Sequence, residues 1–449
     1  MGACLSVVLF FAKHTRLHVA DKPAKVVLRP KFGSTSTTIA LDQLVKRLCP
    51  AVLRPFVTPW WLFNGHLQTA YCAMGDFTKV NVVEFERTLL CTADGGTVGL
   101  DFTPSSETAP DAPILVVLTG LTGGSYESYI RAVLEPAYRS IQQGGLGYRA
   151  VIINFRGCSG VPVTSPYLYS AGCTSDMRAA LLHISKLYPA APLLGLGFSL
   201  GASVLIRYLG EEGNRSRIKS ACVMGCPWDL YENCEYFTRN WLPCQIYART
   251  MGQNLQRIIQ LHAEQLSTLP AAAAAVSSIL STHRPTLKEV DAVVTTLTGS
   301  ARAPFPFPDR DIDSYYRWAS AQPHMDAIRV PVLALHAADD PVITITPVNS
   351  GIAVSPWVVF AVTPGGGHLG WFARRGDGSL GRWFVEPVLE WLRATAEEMD
   401  VPGLAAPREI VESGGVLRED GIDHVECRVI SSGGSTLVAA GSAAVIQGL

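Results

Sequence analysis

The sequence predicts an α/β fold, a mostly parallel central sheet with helices on both faces, interrupted by an all-helical insertion. Three observations carry this. Apolar runs of strand length alternate with helical stretches along the chain, the rhythm of right-handed strand–helix–strand units. The strand-like runs are continuously apolar rather than alternating, as in strands covered on both faces. One long stretch, 229–325, departs from that rhythm with helical patterns and no intervening strand. The totals agree: 449 residues, 48% of them hydrophobic, suffice for a large core. A formal net charge of −1 leaves no basic excess for neutralising phosphates and argues against a dedicated nucleic-acid binder. No run approaches the roughly 20 apolar residues needed to span a bilayer as a helix.

Residues 1–75 lack clean periodicity and read as an N-terminal arm wrapping a core. The first core segment is placed at 76–228. "VNVVEFERTLLCTADGGTVGLDF" within it alternates as two strands joined at Asp94-Gly95-Gly96, a hairpin signal. "PILVVLTG" (113–120), "RAVIINFRG" (149–157), "PLLGLGF" (192–198) and "IKSACVMG" (218–225) follow as buried strands, separated by helical "ESYIRAVLEPAYRSIQ", "SDMRAALLHISKLY" and "GASVLIRYLGEE". The insertion at 229–325 is most simply a lid over the C-terminal edge of the sheet. Strands resume in a second core segment, 326–398, with "VPVLALHA" (330–337) and "WVVFAVTP" (357–364), closed by a helix at 381–398. Residues 399–449, rich in glycine and serine, read as a loosely ordered tail.

The start of the chain matches M-G-x-x-x-[ST] through Gly2 and Ser6, with Cys4 between them. Acylation of both Gly2 and Cys4 would anchor the protein to a membrane, where one chain binds only marginally. A chance match on an apolar tail is the other reading. The eleven cysteines are scattered without a C-x-x-C pair, which suits reduced thiols in an intracellular protein, cytoplasmic or peripherally membrane-associated.

The chemistry centres on "LLGLGFSLGAS" (193–203). A dinucleotide loop fails on spacing, because Leu200 stands where its third glycine belongs, and no Gly-Lys-Ser/Thr occurs. Gly197-Phe198-Ser199-Leu200-Gly201 instead fits G-x-S-x-G between an apolar strand and a helix, where a serine is held on a strained turn as a nucleophile. The alternative is a buried, hydrogen-bonded hydroxyl. A nucleophilic serine needs an acid and a histidine later in the chain, each after a strand. "LALHAADDPV" offers Asp339 and Asp340, and "VTPGGGHLGW" offers His368 behind three glycines. Asp340, directly before Pro341, is favoured over Asp339. His368 would take the serine proton and return it to the leaving alcohol. The oxyanion hole would use the backbone N–H of Leu200 and of Leu121, in the glycine-rich loop after the 113–120 strand.

With these residues in hand the chain resembles the AB hydrolase 4 family of α/β-hydrolases. The likeness rests on "NGHLQT" (64–69), "GLTGGSYESYIR" (120–131), "NFRGCSG" (154–160), "LYSAGCTSDMR" (168–178), "GFSLGA" (197–202), "YYRWAS" (315–320), "DDP" (339–341) and "GGHLGW" (366–371). It implies the α/β-hydrolase fold, a Ser199–Asp340–His368 triad, an acyl-ester substrate, no metal or organic cofactor, and contact with membranes or lipid droplets. Thr119-Gly120 stands where many relatives carry His-Gly, and the His-x4-Asp pattern of some acyltransferases is absent.

The reading is a serine carboxylic ester hydrolase acting on medium- or long-chain acyl esters. The alternatives are an alcohol acyltransferase using the same triad and a short alcohol, and a non-catalytic lipid-binding scaffold. Trp60, Trp61, Trp228, Trp241 and Trp318 suit an acyl channel or, alternatively, core packing. Arg156 and Asp176 are expected to pair near the site mouth as structural residues. Cys158 and Cys173 lack an adjacent base that would make either a nucleophile.

Overall fold

The computed structural model describes residues 14–30, 35–104 and 108–438. Gly2, Cys4 and Ser6 lie outside the described residues, so the acylation motif has no structural counterpart here.

In chain order, β1 (Arg16–His18), β2 (Lys25–Leu28) and β3 (Thr37–Ala40) lead into helix α1 (Leu41–Leu48) and helix α2 (Gly65–Met74). The hairpin β4 (Glu84–Thr92) and β5 (Thr97–Phe102) turns at Gly95, whose φ of +77° the glycine accepts without strain. Then follow β6 (Ile114–Leu118), α3 (Ser128–Tyr138), β7 (Arg149–Asn154), α4 (Ser175–Leu187), β8 (Leu193–Phe198), α5 (Leu200–Glu212) and β9 (Ile218–Met224). No strand lies between Met224 and Val332. That stretch holds helices, among them α6 (Leu230–Arg239), α7 (Arg249–Leu261), α8 (Pro270–Ser281) and α9 (Ile312–Ala319). The chain closes with β10 (Val332–Ala337), β11 (Val358–Thr363), the short pair β12 (Phe372–Arg374) and β13 (Leu380–Arg382), helix α10 (Val385–Glu397), β14 (Met399–Asp400), β15 (Ile410–Ser413), β16 (Val416–Glu419) and β17 (Ile422–Val438).

Among the described residues the main sheet has twelve strands in the order β1-β11-β10-β9-β8-β6-β7-β5-β4-β17-β16-β15. Parallel pairing runs unbroken from β11 to β7 and forms its centre. Along β6, Ile114, Val116 and Leu118 join the core on one face, while Leu115 and Val117 join the core on the other. This two-sided burial is why these strands read as unbroken apolar runs. Strand order reverses at β6, which has β7 on one side and β8 on the other, so the loops after β6 and β8 diverge over a crevice at the C-terminal edge.

The C-terminal segment differs from the expected loose tail as far as Val438; residues 439–449 lie outside the described residues. Strands β15, β16 and β17 extend the sheet beyond β4. Three of the glycines that suggested looseness are turn residues: Gly414, Gly415 and Gly421 sit at φ of +58°, +76° and +74° between strands. Between those turns the strands bury one face, with Leu417, Val425 and Cys427 entering the same core as α4. The ten cysteines among the described residues are free thiols.

Candidate active site

Strand β8 ends at Phe198 and α5 begins at Leu200, which leaves Ser199 alone on the turn, at φ +49° and ψ −120°. Such a backbone costs a non-glycine residue of order 1–3 kcal/mol and persists because its surroundings enforce it. Ser199 N–H donates to Met224 O at 2.9 Å and Gly201 N–H to Thr119 O at 2.9 Å, which ties the turn to both neighbouring strand ends. The flanking glycines are steric requirements. A Cβ on Gly197 would lie 2.6 Å from Ala202 Cα, and one on Gly201 would lie 2.5 Å from the carbonyls of Leu118 and Thr119.

The loops after β10 and β11 bring two more groups to this turn. His368 Nε2 lies 2.9 Å from Ser199 Oγ, and His368 Nδ1 lies 2.9 Å from Asp340 Oδ2. Asp340 Oδ1 accepts the N–H groups of Val342 at 2.8 Å and Ile343 at 2.9 Å. The carboxylate therefore accepts from Nδ1–H and leaves Nε2 as an acceptor for the serine hydroxyl. Burial alone would raise the Asp340 carboxyl. The His368 imidazole and its hydrogen bond, helped by His336 and the Ile343 N–H, bring it below the usual carboxylate range.

Asp339 faces elsewhere. Its Oδ1 accepts Gly367 N–H at 2.9 Å, so it holds the backbone of the histidine loop. Burial raises its carboxyl, and the neighbouring Asp340 charge adds to the rise.

Leu121 and Leu200 line a cavity that reaches Ser199. In the loop after β6, Gly120 N–H donates to Tyr129 OH at 3.3 Å, while the Tyr169 hydroxyl donates to Leu121 O. Two buried tyrosines thus fix both sides of Leu121. Tyr169 lies 48 residues along the chain from the peptide it meets and Tyr129 nine from Gly120, and no sequence signal pointed to either in this part.

The cavity has a volume of about 340 Å³ and a largely apolar wall. Leu230, Phe237 and Met251 from the helical insertion meet Val342 and Ile343 from the loop after β10. None of the five tryptophans lines it. Trp228 is buried against Phe360, and Trp318 packs among Phe305, Phe307 and Tyr315. Trp60 and Trp241 are exposed to 79% and 75%.

Arg156 and Asp176 do pair, through contacts of 2.6 and 2.8 Å, and Asp94 joins them at 2.7 Å. They line a second cavity rather than the one at Ser199. The cause is topological, because β7 and α4 deliver them behind Tyr169. Cys158 is buried, and burial pushes its thiol up to about 12, which keeps it neutral. Cys173 lines that second cavity too.

A family model described as the alpha/beta hydrolase fold matches residues 113–370. The chain is similar to a monoacylglycerol lipase of Saccharomyces cerevisiae, 30% identical over 389 residues, covering 78% of this chain and 83% of the relative. It is 26% identical to the medium-chain fatty acid ethyl ester synthase/esterase 2 of the same yeast, covering 83% and 93%. It is 29% identical to the human phospholipase ABHD3, covering 82% and 85%. Matched model, parallel sheet and relatives agree: the chain belongs to the α/β-hydrolase family, in the AB hydrolase 4 branch.

Proposed function

We propose that the protein is a serine carboxylic ester hydrolase acting on medium- or long-chain acyl esters. The observation that carries this is the continuous line Ser199 Oγ–His368–Asp340, with two 2.9 Å contacts, at the wall of an apolar cavity. The relatives' names, a monoacylglycerol lipase and a phospholipase, support an acylglycerol or phospholipid substrate class.

Ser199 Oγ attacks the ester carbonyl as Nε2 of His368 takes its proton. Asp340 stabilises the imidazolium. The tetrahedral oxyanion is held by the N–H groups of Leu121 and Leu200. His368 then protonates the departing alkoxide, which leaves as alcohol, and Ser199 retains the acyl group. A water that gives its proton to His368 attacks the acyl-serine; the bond from the acyl carbon to Ser199 Oγ breaks, His368 returns the proton to that oxygen, and fatty acid departs. The apolar wall accommodates the chain, and water excluded from it strengthens each of these electrostatic contacts. A short alcohol entering in place of water would give a new ester. The yeast relative named a fatty acid ethyl ester synthase/esterase favours testing that outcome.

Trp60, Trp61, Phe63, Trp241 and Leu242 are exposed, and His66 beside the first group bonds Tyr247 beside the second at 2.6 Å. We read this aromatic rim, next to the insertion that walls the cavity, as the side that meets a lipid surface. No helix among the described residues is long and apolar enough to cross a membrane.

An ester panel of graded acyl length, run on wild type and Ser199→Ala with and without ethanol, tests the reading. Loss of all turnover in Ser199→Ala, with a preference for chains longer than acetyl in wild type, is expected. Turnover that survives Ser199→Ala overturns it.

A further inference from the structure

The motif "NGHLQT" (64–69) has no part in the reaction described so far, yet it forms the first turns of α2 directly against the histidine loop. Asn64 caps the helix, its side chain accepting from Leu67 N–H at 3.0 Å. The positions i, i+3, i+4 and i+7 from Gly65 share one helix face. They are Gly65, Gln68, Thr69 and Cys72, and all four are buried. The opposite side carries His66 and Leu67, which are exposed.

Each residue of that buried face meets a backbone group of 365–372. Thr69 Oγ1 accepts His368 N–H at 2.8 Å while donating to Gly65 O at 2.7 Å. Gln68 donates to Phe372 O at 3.1 Å and accepts Phe372 N–H at 2.7 Å. The Cys72 thiol donates to Leu369 O at 3.4 Å. At Gly65 the approach is closest: a Cβ there would lie 1.8 Å from Asp339 O. A Cβ on Gly367 would fall 2.3 Å from Gly65 O and 2.7 Å from Thr69 Oγ1. The His368 backbone is therefore gripped from two sides, by Thr69 at its own N–H and by Asp339 at the N–H of Gly367.

This loop needs such a grip. Gly366, Gly367, Leu369 and Trp371 all lie at positive φ, so little intrinsic preference holds it in shape. The imidazole must stay in line with Ser199 Oγ on one side and Asp340 on the other, and a 1 Å displacement is enough to lose about 100-fold in rate.

We infer that Thr69 is a positioning residue for His368, and that the buried face of α2 is the splint that keeps the imidazole in register with Ser199. The inference rests on the ester-hydrolase reading and is tested apart from it. Thr69→Val keeps the shape but removes the oxygen, and Thr69→Ser keeps the oxygen. Turnover of a p-nitrophenyl ester is measured per site, with sites counted by fluorophosphonate titration. Thr69→Val is expected to lower kcat per titrated site by roughly 10- to 100-fold with KM within about twofold, and Thr69→Ser to restore most of it. A merely structural role would reduce the number of titratable sites and leave turnover per site unchanged. That result, or a serine variant no better than valine, overturns the inference. Should Thr69→Val not fold, Asp339→Ala removes the second tether and is read by the same ratio. A wild type that neither turns over ester nor reacts with the fluorophosphonate strikes the hydrolase reading itself, not the splint.

Discussion

Exchanging Asp340 for asparagine separates the two adjacent acids by their geometry. In the native site Oδ1 of Asp340 accepts two backbone N–H groups, at 2.8 and 2.9 Å, and Oδ2 faces His368 Nδ1 at 2.9 Å. An asparagine there must keep its carbonyl oxygen on the two N–H donors, so its NH₂ turns toward His368. Nδ1 then has to accept, the ring proton moves to Nε2, and the histidine can no longer take the proton of Ser199. In serine proteases the equivalent wrong-tautomer exchange lowers kcat by about 10⁴. The same loss here corresponds to about 5 kcal/mol of transition-state stabilisation. Asp339→Asn, by contrast, retains an oxygen for Gly367 N–H, and a weakened neutral hydrogen bond is worth about 1 kcal/mol, so at most about a tenfold loss follows. Steady-state kinetics on a soluble p-nitrophenyl ester, with folding checked by thermal denaturation, reads both variants. The reasoning is refuted if Asp340→Asn keeps kcat within tenfold of wild type, or if Asp339→Asn costs as much as Asp340→Asn.

Other expected outcomes bear on the neighbouring parts. Gly201→Ala puts a methyl group 2.5 Å from the Leu118 and Thr119 carbonyls, so it should displace the Leu200 N–H and lower kcat about 100-fold, measured on the same ester. Asp291 is buried, which raises its carboxyl to about 6 despite hydroxyl donors from Thr295 and Tyr316. Its folded value exceeds the unfolded one, so stability falls as pH rises from about 4 through 6, by up to about 3 kcal/mol. Chemical denaturation of Asp291→Asn should therefore show a gain over wild type at pH 7 that shrinks away at pH 4, and a gain independent of pH would contradict this. Ending the chain after residue 405 removes buried Leu417, Val425 and Cys427, each worth roughly 1.5–3 kcal/mol of burial, and should lower the melting temperature by several degrees. An unchanged melting temperature would show that β15–β17 do not stabilise the sheet.

The parts of the fold legible in the sequence were those with a local signature. The central strands announce themselves because both faces are buried, and the G-x-S-x-G turn because its glycines answer clashes within five residues. Asp340 and His368 were legible because strand ends deliver loops to one edge of the sheet. Contacts between residues tens to hundreds of positions apart left no such trace. Thr69 meets His368 across 299 residues, and Tyr169 meets Leu121 across 48. Glycine content suggested looseness in the C-terminal segment, whereas Gly414, Gly415 and Gly421 are turn residues of a three-stranded extension. Of the two readings of the tryptophans, core packing holds for Trp228 and Trp318, and the largely apolar wall near Ser199 includes Leu230, Phe237, Met251, Val342 and Ile343 instead.

Peptide mapping by mass spectrometry after reaction with a fluorophosphonate, on wild type and His368→Ala, tests the central claim most directly. One adduct per chain, on Ser199, formed at least about 100-fold more slowly when His368 is removed, is the expected result. An adduct on another residue, or undiminished labelling of Ser199 without His368, would contradict it.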